Sequence, residues 1–475
     1  MHINAVITMN EAALQQAKQW DAQRTSVLLR KNPALAGIPF LAKDNIDTQD
    51  ILTTGGSLAL RTSVPTKNAF IVQKLIDQGA ILLGKTNLSE LAASYGWLGY
   101  SSVGGQTLNP SNPLRSASGS SSGSGAAVAA GFAPFALGTD TTGSIRSPAS
   151  VTGMVGMRSS MGLVSRAGII PMSLTADVAG AITRTVEDQA VVFDAILGAD
   201  NNDSATKYVR LPNGLLADQL SNSSLQGKTI AVIDNFDGAN PEVDAIKMQS
   251  SLRMQAAGAT IVRMSLPKDF ANLLALVLSP VGLAEFKPQF ETYLSNLPDG
   301  QPKNMAEFMR VLSKETKEGT QIINPGRYKG LVLNQDTKMT DSPAYIAILT
   351  LLIPKYRTEL ADIMRTNHFD ALFFPTDSCP AAPIPGKIDP TFVCTGYSYG
   401  ASKISSATGF PEITVNAGMA ASNAPVGMSF LGAAGDDLGI LRLGAAFEKI
   451  VREQPLRVNS GRFQHPEANI AVTSK

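Results

Sequence analysis

The residues of this chain that could do chemistry are first of all its serines. Gly119-Ser120-Ser121-Ser122-Gly123 contains a Gly-x-Ser-x-Gly, the pattern of a nucleophile elbow, which would make Ser121 the nucleophile and would call for a histidine base. The histidines are His2, His368 and His465, at the chain start, beside a surface turn and in a polar tail, so none is placed to complete a Ser-His-Asp triad. A serine hydroxyl is a weak nucleophile until a base takes its proton, and a lysine can be that base only as a neutral amine. Its pKa must then fall from ~10.4 toward ~7–8, which burial achieves by penalising the charged form.

Other patterns point elsewhere and fail on physical grounds. Gly79-Ala80-Ile81-Leu82-Leu83-Gly84-Lys85-Thr86 satisfies the phosphate-binding loop pattern. Its variable positions are apolar and want burial in a sheet, whereas a phosphate cradle must expose consecutive backbone N–H groups, so a buried strand is expected. The tetrads Ser204 to Lys207 and Ser265 to Lys268 match Ser-x-x-Lys, a motif that needs Ser and Lys one helical turn apart. Pro267 interrupts the second and the first lies in a polar stretch, so both are chance matches.

The elements that would position such residues alternate between helix and strand. Residues 10 to 30 carry helix formers, Pro33 and Gly37 close that run, and a short apolar strand follows at 38 to 42 with Lys43 at its end. Residues 69 to 78 read as an amphipathic helix and 80 to 83 as a buried strand, the alternation of an α/β fold. Between Ser101 and Ser150 long side chains almost disappear, and a helix at 126 to 131 flanked by glycine loops implies close backbone packing rather than a linker. After a polar stretch at 200 to 222 come a strand at 229 to 233 and a mainly helical region to about 367. A last unit reads as strand (371 to 374), loop (375 to 390), helix, strands (413 to 415 and 427 to 431) and helix (439 to 450), before a polar tail at about 453–475.

Bulk properties narrow the function further. The chain has 475 residues, 44% hydrophobic and 17% charged, enough apolar content for a large core. Its net charge of +1, from 40 basic and 39 acidic residues, provides no field to draw in nucleic acid or an anionic membrane, so a small, roughly neutral substrate is expected. The most apolar stretches, 273 to 278 and 346 to 353, fall short of the ~20 residues of a membrane-spanning helix. Cys379 and Cys394 are too few for a disulfide scaffold and lack zinc-site spacing. The start Met1-His2-Ile3-Asn4-Ala5-Val6 has no charged region followed by an apolar one. The compartment expected is the cytoplasm, with a secretory signal already removed as the alternative.

Ser118-Gly-Ser-Ser-Ser-Gly-Ser-Gly-Ala-Ala-Val-Ala-Ala-Gly131, followed by Gly138-Thr-Asp-Thr-Thr-Gly-Ser-Ile-Arg-Ser-Pro-Ala149, resembles the signature of the amidase family. Ser120 and Ser144 have the spacing the family shows between its bridging serine and its nucleophile. Gly37-Ile-Pro-Phe-Leu-Ala-Lys-Asp-Asn45 looks like the family's lysine motif, and 84 to 90, 104 to 110 and 425 to 430 also fit. Leu283-Ala284-Glu285-Phe286-Lys287, with Gly104-Gly105-Gln106-Thr107, looks closest to the branch of bacterial peptide amidases.

This resemblance implies the amidase signature fold: one α/β/α domain over 1–475, a large mixed β-sheet sandwiched between helices. It implies a signature core at about 37–190 and a variable substrate-pocket region at about 270–400. Lys43, Ser120 and Ser144 are the implied catalytic residues, and the backbone N–H groups of Thr141, Thr142, Gly143 and Ser144 the oxyanion hole. Asp140, Arg146, Gly119 and Ser121 are expected to contact substrate or support the site, with Arg146 either holding a substrate carboxylate or pairing with Asp140. Asp177 is expected as structural support. Tyr95, Trp97 and Tyr100 could line the substrate pocket or the core, and the Cys379 loop with Tyr397 to Tyr399 could form the acyl-side pocket. Asp44 neighbours Lys43 on an extended chain and should face away from it.

The implied reaction is hydrolysis of a carboxamide, a primary amide such as a peptide C-terminal amide, without cofactor or metal, by a monomer or homodimer. The alternatives are a glutamine-hydrolysing subunit of a tRNA-dependent amidotransferase and a catalytically inactive binding relative. Family members usually carry several tens of helical residues before the segment matching Asn4-Ala5-Val6. This chain is expected either to be a shortened form or to cover that surface by association.

Overall fold

The computed structural model describes residues 2–31, 34–93, 96–208, 210–318, 323–335, 339–453 and 455–456. The strands of its main sheet are β1 (Val6–Met9), β2 (Pro39–Lys43), β3 (Ile81–Thr86), β4 (Phe135–Asp140), β5 (Val155–Arg158), β6 (Val178–Thr183), β7 (Thr229–Ile233), β8 (Thr260–Met264), β9 (Ala371–Pro375), β10 (Glu412–Ala420) and β11 (Ala424–Leu431). Among the described residues they form one mixed sheet of 11 strands in the order β1-β3-β2-β4-β6-β5-β10-β11-β9-β7-β8. Strands β3, β2 and β4 run parallel in the signature half, β9, β7 and β8 run parallel in the other, and antiparallel pairs join the halves.

The helices are α1 (Ala13–Lys31), α2 (Phe70–Asp77), α3 (Ser122–Ala129), α4 (Arg146–Thr152), α5 (Val186–Ile196), α6 (Pro241–Ala256), α7 (Ser279–Ser295), α8 (Met305–Glu318), α9 (Pro325–Gln335), α10 (Pro343–Ala347), α11 (Ile353–Thr366), α12 (Lys403–Thr408) and α13 (Asp437–Glu453). Successive side chains of a strand point to opposite faces, and both faces here are apolar, as helices on both sides require. Phe40, Ala42, Phe135, Leu137, Val232 and Phe373 belong to the core shared with α2, α5, α6 and α13. On the reverse face Leu41 and Ala136 meet Ala126 and Ala127 of α3. Further along that face Leu372 and Phe374 meet α7 and α11 through Val281 and Leu360. Each fully buried aromatic contributes roughly 1.5–3 kcal/mol of transfer free energy.

A fourth apolar cluster lies apart from the sheet. Phe286 and Phe290 of α7, Phe308 and Leu312 of α8 and Leu331 of α9 pack with Leu58, Leu60, Leu91 and Ile170. This helical cover has a core of its own, built on Phe290 with ring centroids 5.1 Å from Phe286 and 5.2 Å from Phe308.

The strand over 229 to 233 falls where the sequence puts it, and Ile81–Thr86 is a strand rather than a phosphate cradle, with Lys85 fully buried. Helix α3 begins at Ser122, four residues before the stretch read as helical, because Gly123 and Gly125 allow it to press against Asn87 and Pro148. Strand β10 runs nine residues where the apolar pattern marks three. The two cysteines, too few for a scaffold, form one Cys379–Cys394 disulfide across the loop after β9. Tyr95, His465 and the tail beyond 456 lie outside the described residues. His368 is exposed, as is His2.

Candidate active site

Lys43 ends β2 on the face that carries α3, where β2 lies beside and parallel to β4. Its amine is fully buried, 2.7 Å from Ser120 Oγ and 2.7 Å from Thr139 Oγ1. Asn45 Nδ2 donates to that same Thr139 oxygen at 3.1 Å. Burial lowers the lysine pKa to about 7, against the opposing pull of the Asp140 and Asp177 carboxylates. A neutral amine is therefore accessible near pH 7, the state a lysine base needs. Asp44, next in the chain, turns to the other face as the strand period requires. There it lies 3.5 Å from Lys85 and accepts from the Thr54 hydroxyl and the Thr54 and Gly56 N–H groups.

Ser120 sits just before α3, after a cis Gly119–Ser120 peptide. Only glycine fits at 119, since a Cβ there would lie 2.4 Å from Ser89 Oγ. Ser89 N–H donates to Ser120 O at 3.0 Å, and Ser121 N–H to Ser144 O at 3.2 Å, which brings the Ser120 segment against the turn that carries Ser144. Ser121 Oγ donates to Thr139 O at 3.2 Å and accepts from Thr139 N–H at 3.3 Å, so it ties this loop to β4 instead of acting as an elbow nucleophile. Ser144 precedes α4; its side chain has no hydrogen-bond partner among the described residues, and it is 8% exposed where Ser120 is 3% and Lys43 0%.

The turn from Asp140 to Ser144 is organised by one carboxylate. Asp140 accepts from Gly143 N–H at 2.8 Å and Ile145 N–H at 3.1 Å, and it pairs with Arg146 at 2.9 Å and Arg158 at 3.3 Å. Burial pushes Asp140 up, but the two guanidiniums and these N–H groups outweigh it and hold the carboxyl well below the usual range. The Gly143 N–H is thus directed at Asp140, a correction to its expected place among the oxyanion donors. Among the described residues the N–H groups of Thr141, Thr142 and Ser144 have no protein acceptor. Of the two roles open to Arg146, the structure places it in the second: fully buried, it binds Asp140, Glu412 at 2.5 Å, Ser405 Oγ and Ser406 Oγ, with no donor left for a substrate carboxylate.

A narrow pocket opens beside this turn, lined by Asn45, Ala92, Thr139, Thr141, Ile170 and Asp177 among others. Asp177 accepts from Thr141 Oγ1 at 2.5 Å and from the Met172 and Ser173 N–H groups, the supporting position expected of it. A family model described as Amidase matches residues 1–441. The chain belongs to the amidase family. A solved peptide amidase from Stenotrophomonas maltophilia is similar at 34% identity with a TM-score of 0.81, over 95% of this chain and 89% of that one. An amidase family protein from Bacillus anthracis gives 29% identity and a TM-score of 0.82, over 95% and 84% of the two chains. Among curated relatives, a probable amidase of Arabidopsis thaliana is 31% identical over 95% of this chain and 84% of its own. A glutamyl-tRNA(Gln) amidotransferase subunit of Symbiobacterium thermophilum is 32% identical over 96% and 91%.

Beside the amidase signature the structure brings in contacts that the sequence does not show. Thr139 shares the Lys43 amine with Ser120, and Asn45 orients Thr139; both lie inside quoted motifs, but only the fold shows that they touch. Glu285 of α7 accepts from Ser173 Oγ at 2.7 Å, from Thr175 N–H at 3.1 Å and from Tyr345 OH at 2.8 Å, fastening the cover to the segment that carries Asp177. Trp97 and Tyr100 meet edge to face at 5.6 Å, and Asn324 donates to both their carbonyls. Asp377, at the start of the disulfide loop, accepts from Ser147 Oγ at 2.7 Å, and burial pushes its carboxyl up to about 6. No described helix is long and apolar enough to cross a membrane.

Proposed function

We propose that this amidase hydrolyses a primary carboxamide, with a peptide C-terminal amide as the favoured substrate, to a carboxylic acid and ammonia through a Ser144 acyl-enzyme. In this reading Lys43 takes a proton from Ser120, Ser120 takes one from Ser144 through a hydrogen bond that forms as substrate binds, and Ser144 Oγ attacks the amide carbonyl. The proton returns along the same path to the leaving nitrogen, and water then cleaves the ester and restores the serine. The N–H groups of Thr141, Thr142 and Ser144 receive the oxyanion, each such donor contributing a factor of roughly 10²–10³ in turnover. The region from about 270 to 400, which includes the helical cover and the disulfide loop, shapes the acyl pocket.

The observation that carries the reading is the Lys43 amine, wholly buried, lowered to about 7 and 2.7 Å from Ser120 Oγ. A snorkelling lysine would keep its amine in water, and Lys85, equally buried, differs in pairing with the Asp44 carboxylate where Lys43 meets a serine hydroxyl. The likeness to the Stenotrophomonas peptide amidase supports the substrate class. The test is ammonia release across a panel of peptide amides, aliphatic and aromatic amides and glutamine, with Ser144→Ala alongside. Release from peptide amides that Ser144→Ala abolishes supports the reading; normal rates in Ser144→Ala end it.

A second reading, a glutamine-hydrolysing subunit that passes ammonia to a partner acting on charged tRNA, draws on the 32% identity to the Symbiobacterium amidotransferase chain. Glutamine as the one good substrate, together with a co-purifying partner chain in native mass measurement, would establish it. An active lone chain rejects it, and any ammonia release rejects an inactive binding relative. The Cys379–Cys394 disulfide fits an oxidising compartment better than the cytoplasm.

A further inference from the structure

A second buried lysine stands on the far side of the nucleophile turn. Lys403, first residue of α12, is 5% exposed and donates to the Thr142 carbonyl and to Ser402 Oγ at 3.1 Å. Ser402 Oγ itself donates to Thr142 O at 3.1 Å. The same peptide unit is held at its other end, because Gly143 N–H donates to Asp140 Oδ1 at 2.8 Å. A peptide is planar, with its C=O and N–H pointing opposite ways. Fixing both groups of the Thr142–Gly143 unit fixes that plane, and so narrows the settings of the two planes joined to it at the Thr142 and Gly143 Cα atoms, those that present the Thr142 and Ser144 N–H groups. Gly143, at φ 122°, holds a conformation that side chains disfavour, and a Cβ there would come within 2.8 Å of Ser402 Oγ, so the position admits only glycine.

We propose that Lys403 is a positioning residue for the reaction read above: its ammonium, clamping the Thr142 carbonyl against the pull of Asp140, aims the Thr142 and Ser144 N–H groups at the substrate oxyanion. The inference rests on the hydrolase reading. A charge-assisted hydrogen bond is about twice as strong as a neutral one, so the clamp depends on the amine's charge. Burial lowers Lys403 to about 8, helped by the neighbouring Arg146 and opposed by Asp140, Asp377 and Glu412. Tyr399, with its ring centroid 6.0 Å from the amine, completes the surroundings. Lys43 must be neutral and Lys403 charged, so turnover rises as pH climbs through about 7 and declines as it passes about 8. The decline ends on a lower plateau, because a neutral amine still donates.

The experiment compares wild type, Lys403→Met and Lys403→Arg in kcat, KM and pH profile on a peptide amide, with hydrogen exchange of residues 141–145 measured in each. Lys403→Met should lower kcat by about 10²-fold, as loss of one oxyanion donor does, with little change in KM, no decline near pH 8 and faster exchange in the loop. Lys403→Arg should regain most of the rate and carry the decline to higher pH. A wild-type profile flat above pH 8, or a Lys403→Met enzyme with normal kcat and unchanged loop exchange, overturns the proposal. A wild-type chain inactive on every amide would sink the hydrolase reading instead, and loop exchange in Lys403→Met would then decide the clamp alone. If Lys403→Met does not fold, the wild-type and Lys403→Arg profiles decide it.

Discussion

The signature half and the helical cover use glycine in opposite ways. In the signature half a Cβ on Gly123 would lie 2.4 Å from Ala5 O and 2.5 Å from both Asn87 N and Asn87 O, and one on Gly119 would strike Ser89 Oγ. In the cover and the disulfide loop, a Cβ on Gly282, Gly300 or Gly386 would meet nothing within 4 Å. Around Gly119 and Gly123 the backbone of the first region is packed at distances that exclude side chains, while its turn glycines Gly37 and Gly131 stand open. The cover is held by large rings packed on one another, Phe286, Phe290 and Phe308. Chemistry that depends on sub-ångström placement of Lys43, Ser120 and Ser144 belongs in the first kind of packing, and a wall shaped to a substrate belongs in the second.

That division predicts where function and stability separate. The largest effect should come from the trio. Ser144→Ala is expected to lower kcat by on the order of 10⁴-fold or more, Lys43→Ala nearly as much and Ser120→Ala less, with thermal unfolding little changed. Steady-state ammonia release beside calorimetry checks this, and a Ser120→Ala enzyme worse than Ser144→Ala would contradict the relay order. Next comes Phe290→Ala in the cover, with a loss of about 3–5 kcal/mol typical of a deleted core aromatic. Ile170 joins this cluster and lines the pocket, so KM should rise more than kcat falls. A fall in kcat at constant KM would show that the cover reaches the trio.

Third in size is Gly123→Ala. Replacing a helical glycine by alanine normally stabilises by up to ~1 kcal/mol, but here the crowding by three backbone atoms should reverse the sign and cost about 1–3 kcal/mol. Because α3 follows Ser120 directly, kcat should drop as well. Denaturant titration with kinetics tests both, and a stabilised, fully active variant would refute the close-packing account of this region.

How much is legible in the sequence follows the same line. Where contact restricts residue type, sequence carries the information: the glycines and serines of 118 to 144, the strand end at Lys43 and the turn of Asp44 to the opposite face can all be read. The partners of those residues cannot, because Thr139 reaches Lys43 across 96 positions and Glu285 reaches Ser173 across 112. Gly143 reads as an oxyanion donor although a nearer carboxylate holds its N–H; the Gly-Thr-Asp motif shows Asp140 but not where its oxygens point. The role of Lys403 is invisible for a related reason. A lysine heading a six-residue helix looks solvated until the fold lays it under Thr142.

The acid limb of the pH profile is the fourth prediction. The base must be neutral, so turnover should fall about tenfold per pH unit below the Lys43 value of about 7. Asp377 is pushed up to about 6 and could produce a limb one unit lower. Temperature separates the two, because deprotonating an ammonium is strongly endothermic and deprotonating a carboxylic acid is nearly athermal. A limb that moves to lower pH on warming belongs to the lysine; one that stays put, or that disappears in Asp377→Asn, would transfer it to the acid.

The smallest effect is the most direct test of the contrast between the halves. Gly282 lies within α7, where alanine loses less conformational freedom on folding, and a Cβ there touches nothing. Gly282→Ala should therefore raise stability by roughly 0.5–1 kcal/mol, opposite in sign to the same change at Gly123. If stability rises and kinetics are unchanged, the cover tolerates side chains wherever space allows. If stability rises but KM for bulky amides rises with it, the open space beside Gly282 is a room for substrate. The glycine would then be kept for the ligand, as Gly123 is kept for the backbone.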